Sequence, residues 1–403
     1  MIPNPNPTLT ICKVWDDDYP WDVRVEKIAG ALTTEGHQVH LAARNRLRIA
    51  ATESFPEATV HRLRPWRWLP ASLDRAAMFP AFVNPRWYRH IVRVARQAKA
   101  DVVLCRDLPL APTSIVAARA LGIPVLLDMA ENYPAMLQSR ISTGRRGPLD
   151  AMVRNPALAR AVERWTLRHI DGVLVVVDES AERIIAAGVP RSRTAVVSNT
   201  PPLSRLSGPV AQQARVAQTT VVYLGIIEAQ RGIATLLDAM EILRRERQPM
   251  RLVLYGDGVD GALFRRSAEA QGLTPHYVEF RGRLPNPVAL KELATAQIGV
   301  VPHWKDESWD TTVPNKLFDY MAAGLAVVTS DVTPCARIVR ETGAGLVYRD
   351  RDAVGLATSL RKLQDPDIRS AAAARGRAAI AETYHWERDV ERMLRLLQSV
   401  VGT

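Results

Sequence analysis

The chain has 403 residues, 47% of them hydrophobic and 24% charged, and a formal net charge of +11. That is enough chain for about two domains with an ordinary globular balance. No stretch approaches ~18 consecutive apolar residues, which argues against a membrane-spanning helix. The cysteines Cys12, Cys105 and Cys335 are scattered and odd in number, with neither a disulfide framework nor a metal spacing.

Residues 1–7 are rich in Asn and Pro and lack a basic start followed by an apolar core, so no secretory leader is expected. Residues 8–14 read as a strand. Asp22 then caps a helix with Val25, Ile28, Ala29 and Leu32 on one face, stopped by Gly36. Residues 39–42 and 101–105 are further strands, and a helix over 111–121 ends at Gly122. Buried strands follow at 124–128 and 172–177, with a long helix over 149–168 between them. A last strand at 189–198 closes the half.

Most of the positive excess lies before residue 200. Between 62 and 99, Arg62, Arg64, Arg67 and six further Arg and Lys face one acid, Asp74, with Trp66, Trp68, Phe79, Phe82, Trp87 and Tyr88 interleaved. Such a segment suits an anionic membrane surface, where each positive side chain adds roughly 1 kcal/mol. The plain alternative is a solvated arginine face over core aromatics. No nucleic-acid motif accompanies it, so nucleic acid is not an expected partner.

Residues 199–218, beginning Asn199-Thr200-Pro201-Pro202, read as a hinge. The alternation then restarts, with strands at 219–224, 251–255, 278–281, 298–301 and 326–329. Helices are expected near 233–247, 261–271, 287–294 and 314–323, and helix again from Pro366 to the end. Repeated strand–helix units predict an α/β protein with two Rossmann-like, doubly wound parallel sheets. The expected domains are 1–200, a linker at 201–218, 219–383, and a final helix at 384–403 that crosses back to the first domain. Two such domains on one hinge would make a cleft at the strand ends, where ligands bind in this class of sheet.

Three loops at those ends carry candidate chemistry. Tyr223-Leu224-Gly225 ends a strand, and Arg231-Gly232 opens the next helix, where a guanidinium can fork onto diphosphate oxygens. Gly256-Asp257-Gly258 closes another strand; Asp257 there reads first as a turn former. Arg281-Gly282 follows Phe280 at the same edge. The stretch Val313-Pro314-Asn315-Lys316-Leu317-Phe318-Asp319 is the most informative. Pro314 suits the first helical position, and the free amides and positive dipole of the helix start favour a phosphate. Lys316 adds a point charge and Asp319 an acceptor for sugar hydroxyls, on one face of the helix.

In that order and spacing, Gly225, Arg231-Gly232, Gly256-Asp257-Gly258, Phe280-Arg281-Gly282 and Pro314 to Gly324 make the second half resemble the retaining GT-B glycosyltransferases of family 4, the group 1 type of bacterial polysaccharide assembly. Asp22-Val23-Arg24-Val25, Asp128 to Pro134 and Val197 to Pro201 are similar in the first half. The resemblance implies transfer of a sugar from a nucleotide diphosphate sugar, UDP- or GDP-linked, with retained configuration. The acceptor would be lipid-linked or a glycan. It implies Arg231 and Lys316 on the diphosphate and Asp319 on the ribose, with Gly225, Asp257, Gly258, Arg281, Asn315 and Thr311 around the donor. No metal ion or other cofactor is then required.

Two positions depart from the family pattern. Thr311 stands where the first acid of the acidic–seven–acidic motif is expected, with Asp310 as a substitute next to it, and Ala130 stands where a histidine often precedes Glu131. Glu131 is therefore the candidate for acceptor orientation or proton handling, with a helix-capping acid as the plain alternative. Asp22 and Arg24 are candidates for acceptor contact. The reading is a cytoplasmic enzyme, peripheral on the inner face of the plasma membrane. Two alternatives stand beside it: a nucleotide-sugar epimerase of the same fold, and a non-catalytic nucleotide-sugar binder.

Overall fold

The computed structural model describes residues 7–20, 22–64, 82–142, 155–213 and 216–402. The chain divides into two units: residues 1–197 with 390–403, and residues 198–389. Much of the basic aromatic segment, including Trp66, Arg67, Trp68, Asp74 and Phe79, lies outside the described residues.

In the first unit eight strands form one sheet. They are β1 (Thr10–Val14), β2 (Gln38–Ala43), β3 (Thr52–Ser54), β4 (Thr59–Arg62), β5 (Val102–Arg106), β6 (Val125–Met129), β7 (Gly172–Val175) and β8 (Thr194–Val196), in the order β3-β4-β2-β1-β5-β6-β7-β8. All neighbours are parallel except the short edge pair β3–β4. β5 and β6 are buried at every position, as a parallel sheet covered on both faces requires. Helix α1 (Val23–Thr34) starts where expected, because the Asp22 carboxylate accepts the amides of Arg24 and Val25. Helix α2 (Pro85–Ala98) buries Trp87, Ile91 and Val94 and exposes Arg89, Arg93 and Arg96. Helix α3 (Ala111–Leu121) ends on Gly122 in the left-handed region, as predicted.

The second unit holds six parallel strands: β9 (Thr219–Leu224), β10 (Met250–Tyr255), β11 (Val278–Gly282), β12 (Ile298–Val301), β13 (Ala326–Ser330) and β14 (Gly345–Tyr348). Their order is β11-β10-β9-β12-β13-β14. The order reverses at β9, which pairs with β10 on one side and β12 on the other. The carboxyl ends of β9 and β12 therefore flank the place where such sheets bind ligands. Two glycines fix the loops there. A Cβ on Gly256 would stand 1.8 Å from the Gly225 carbonyl oxygen, and one on Gly232 would stand 1.6 Å from that of Pro302. Their φ angles, 141° and 71°, are also ones side chains avoid.

Residues 201–213, expected as a linker, are strapped to the second unit. Ala211 donates to the Ala323 carbonyl at 2.9 Å, Gln213 to that of Gly324 at 2.7 Å, and Arg377 reaches the Leu206 carbonyl at 2.9 Å. These bonds satisfy backbone groups that a free linker would leave to water. The expected terminal helix is two, Pro366–Glu382 and Trp386–Val401, separated at Thr383–His385. The second starts in one unit and its residues from Val390 belong to the other.

Candidate functional site

At the reversal of the second sheet, helix α4 (Ile233–Arg245) follows β9 through the loop 225–232, and helix α5 (Asn315–Ala322) follows β12. Pro314 stands just before the helix, with φ −73° and ψ 136°, so Asn315 and not Pro314 opens it. The apolar face of α5, with Leu317, Phe318 and Met321 buried, seats the helix and carries Lys316 inward with it.

Lys316 is 6% exposed. Its Nζ lies 3.8 Å from the centroid of the Tyr223 ring and has no hydrogen-bond partner. Gly225 allows this approach: a Cβ there would meet Nζ at 2.8 Å. The hydroxyl of Tyr223 is turned away, donating to the Ile226 carbonyl, while the Tyr320 hydroxyl accepts the Leu224 amide at 2.8 Å. Nearby, the Arg231 guanidinium lies 4.7 Å from the centre of the Trp309 ring, and its Nη1 is 3.4 Å from Nε2 of His303. Burial, together with the charge of Arg231, holds the Lys316 ammonium well below the usual lysine range. Burial, then Lys316 and Arg231, likewise holds the His303 imidazole well below its usual value. Neither cation has a carboxylate partner among the described residues. Two cations kept close, with no counter-ion, are an arrangement that an anionic ligand stabilises.

Asp319 lies one turn along α5 and is half-buried. It lines a cavity of about 290 Å³ with Arg205, Pro209, Asn286, Leu290 and Lys291. Asn315 is exposed at the helix start. Other expected donor residues are committed elsewhere. The Asp257 carboxylate accepts the Gly258 amide at 2.8 Å, as a turn former does, and Gly258 packs its backbone against Ile227. Arg281 reaches Glu279 at 2.8 Å, Glu292 at 3.3 Å and the Tyr255 hydroxyl at 2.9 Å. The Thr311 hydroxyl turns back on the Glu307 and Ser308 carbonyls. Asp310, offered as its substitute, accepts the amide and hydroxyl of Thr333 at 2.8 and 2.6 Å, at the start of the helix Thr333–Thr342. His303 carries no motif. Its one sequence signal is position, immediately after the strand that neighbours Gly225's strand.

At the strand ends of the first unit the charges are matched. Arg24 is 2% exposed and is not placed for acceptor contact: its Nη2 is 2.6 Å from Asp128, its Nε 2.8 Å, and its Nη1 donates to the Val197 carbonyl. Lys13, fully buried, stands 3.8 Å from the same carboxylate. Burial alone raises the Asp128 carboxyl, but Arg24, Lys13 and Arg106 together hold it below the usual range. Burial brings Lys13 down to about 8. Arg106 is 3.3 Å from both Asp22 and Asp107. Asp22 caps α1 and Glu131 is exposed nearby, within the field of Arg106.

The membrane expectation also changes. Arg62 is 1% exposed, held by the Tyr19 and Ala50 carbonyls and by Glu53 at 2.6 Å, and Trp87 is core. Neither faces lipid. No described helix is long and apolar enough to cross a membrane. Among the described residues, no group of three or more His, Cys, Asp or Glu is placed to hold a metal ion.

Residues 218–365 match the family model described as glycosyl transferases group 1, and residues 22–200 match the model described as glycosyl transferase 4-like domain. The phosphatidyl-myo-inositol mannosyltransferase of Mycobacterium tuberculosis is 28% identical over 396 residues, covering 96% of this chain and 95% of that protein. The 2-deoxystreptamine glucosyltransferase of Streptomyces kanamyceticus is 22% identical over 79% of this chain and 78% of its own. Among solved structures, sucrose-phosphate synthase from Thermosynechococcus elongatus superposes with a TM-score of 0.75 at 18% identity, covering 98% and 99% of the two chains. Anabaena HepE in complex with UDP superposes at 0.66 and 14% identity, covering 97% and 100%.

Proposed function

The chain belongs to the group 1 glycosyltransferases of GT-B fold, and on that footing we propose that it moves a hexosyl or N-acetylhexosaminyl group from a UDP- or GDP-sugar to a lipid-linked or glycan acceptor, with retained configuration. The observation that carries the donor side is the Lys316–Arg231 pair, two cations at the strand-order reversal without a counter-ion among the described residues. A nucleotide diphosphate supplies that counter-charge. As the bond from the anomeric carbon to the diphosphate breaks, negative charge grows on the leaving oxygen. Positive groups fixed beside it stabilise the transition state more than the ground state. The acceptor hydroxyl forms the new bond and loses its proton.

In this reading Asp319 holds the ribose, and the cavity it lines takes the nucleoside. The HepE structure with UDP supports the nucleotide. Asp22 and Glu131 are the acceptor-side candidates, and the name of the mycobacterial relative, a phosphatidyl-myo-inositol mannosyltransferase, favours a lipid acceptor. The exposed arginines of α2 would rest on anionic lipid at the inner face of the plasma membrane.

The test is a thermal-shift screen of UDP- and GDP-sugars in metal-free buffer. A ligand at ~100 times its dissociation constant adds about 2.7 kcal/mol to stability. One nucleotide series is expected to raise the melting temperature and the other not. Absence of any shift with both series, at millimolar ligand, sinks the proposal.

A further inference from the structure

His303 is the one fully buried imidazole in direct reach of the cationic pair. An arginine nitrogen can only donate, so the 3.4 Å approach of Arg231 Nη1 requires a lone pair on His303 Nε2. The ring proton then sits on Nδ1, which is buried and has no hydrogen-bond partner. A buried unpartnered N–H is costly, so nothing in the ring's own packing favours this tautomer. The guanidinium does. The ring is held from two further sides: its backbone carbonyl accepts the Ser330 hydroxyl at 2.6 Å, and its face lies 4.2 Å from the Trp309 ring. Trp309 is also the surface on which Arg231 lies. Imidazole and guanidinium thus both pack on the Trp309 ring and meet each other at Nε2 and Nη1, so the three groups make one contact cluster.

We infer that His303 is a positioning residue for Arg231: an imidazole kept neutral, whose Nε2 accepts from the guanidinium and fixes it on Trp309 in the orientation that meets the donor diphosphate. The inference rests on Arg231 belonging to the diphosphate site. Burial and the adjacent Lys316 and Arg231 charges keep the ring unprotonated. A protonated ring would offer Arg231 a repelling donor in place of an acceptor. Lysine or arginine at this position would do the same permanently.

The test is calorimetric titration of the full chain with UDP, and in parallel with GDP. Arg231→Ala is expected to weaken the preferred nucleotide about tenfold or more, the usual consequence of losing a charged hydrogen bond. His303→Leu is expected to weaken it by a similar factor, and His303→Gln, which keeps an acceptor, to recover most of that loss. The double variant Arg231→Ala/His303→Leu is expected to bind no more weakly than Arg231→Ala alone, since histidine acts only through the guanidinium. Should His303→Leu not fold, Trp309→Leu carries the same cycle, with a loss that vanishes in the Arg231→Ala background. Additive losses overturn the inference, as does a His303→Leu protein that binds like wild type while Arg231→Ala does not; either leaves the diphosphate reading standing. If Arg231→Ala itself binds both nucleotides unchanged, the diphosphate reading and this inference fall together.

Discussion

The two sheets present opposite electrostatic solutions at equivalent places. Both gather cations at the carboxyl ends of their central strands. In the first unit Lys13, Arg24 and Arg106 meet Asp128, Asp22 and Asp107, so the charges are matched inside the protein. In the second, Lys316 and Arg231 have aromatic rings and a neutral imidazole for company and, among the described residues, no carboxylate ion-pair partner. The first arrangement is complete without a ligand and acts as structure. The second is left positive, which is the ground for the donor site proposed there. Burial of a charge alone therefore does not mark a site; burial without a counter-charge does.

The sharpest way to break that contrast is to remove the counter-ion from the first unit. Asp128→Ala leaves Lys13 and Arg24 buried and unpaired, and the expected loss is about 3–5 kcal/mol of stability, read by denaturant unfolding. Nucleotide affinity of the folded fraction should hold. A stable Asp128→Ala protein with impaired nucleotide binding reverses the assignment of the two clusters.

Lys316→Ala is the mirror experiment. It removes a buried cation that has no partner, so the fold should keep its stability or gain some. Turnover should fall by about 10²–10³, the range for losing one group aimed at developing charge. A large drop in stability with turnover per folded molecule preserved would make Lys316 a structural residue like Lys13.

Protons sharpen the comparison further. Both lysines lie below the usual 10.5, Lys13 at about 8 and Lys316 well below its ordinary range. An unfolded lysine holds its proton to a higher pH than either, so stability rises with pH between the folded and unfolded values. A bound diphosphate raises Lys316 and leaves Lys13 where it is. UDP or GDP binding should therefore take up a fraction of a proton in the window between the free and bound values of Lys316. Affinity should fall with rising pH across that window and level off above it. Calorimetry in buffers of different ionisation enthalpy reads the uptake; zero uptake at every pH where the protein stays folded counts against contact between Lys316 and the phosphates.

How far this was readable from the chain follows from the range of each interaction. The strand–helix alternation and a helix start at Pro314, one residue ahead of the observed Asn315, are local patterns, and they place Lys316 and the loop of Arg231 at the carboxyl ends of one sheet. Arg24 and Asp128 are 104 positions apart, and nothing in either neighbourhood announces the pair. Arg62 sits among basic residues and looks like part of a charged surface, yet Glu53 and two carbonyls bury it. The edge strand Thr52–Ser54 and its neighbour Thr59–Arg62 are too short for a period to show. Helix α2 does carry a start signal, Asn84 followed by Pro85, with the Asn84 side chain accepting two amides. His303 needs the strand order, because only the pairing of β12 with β9 brings it to Arg231.

The smallest effect per residue concerns a third set of unmatched cations, now at the surface. Arg89, Arg93 and Arg96 share the exposed side of α2, whose other side buries Trp87, Ile91 and Val94. None has an ion pair among the described residues. By the same logic that separates the two strand-end clusters, these charges await a partner, whereas Arg62, a short way along the chain, already has one. Exposure makes each worth little: about 1 kcal/mol per arginine against an anionic bilayer, and less as salt rises. Replacing the three with glutamine should release the protein from phosphatidylserine-containing vesicles in a sedimentation assay while leaving UDP affinity intact. Equal vesicle binding by the triple variant moves any membrane contact away from α2. Arg62→Gln should instead leave vesicle binding unchanged and lower the midpoint of denaturant unfolding, because it removes a buried guanidinium from Glu53 and its carbonyls.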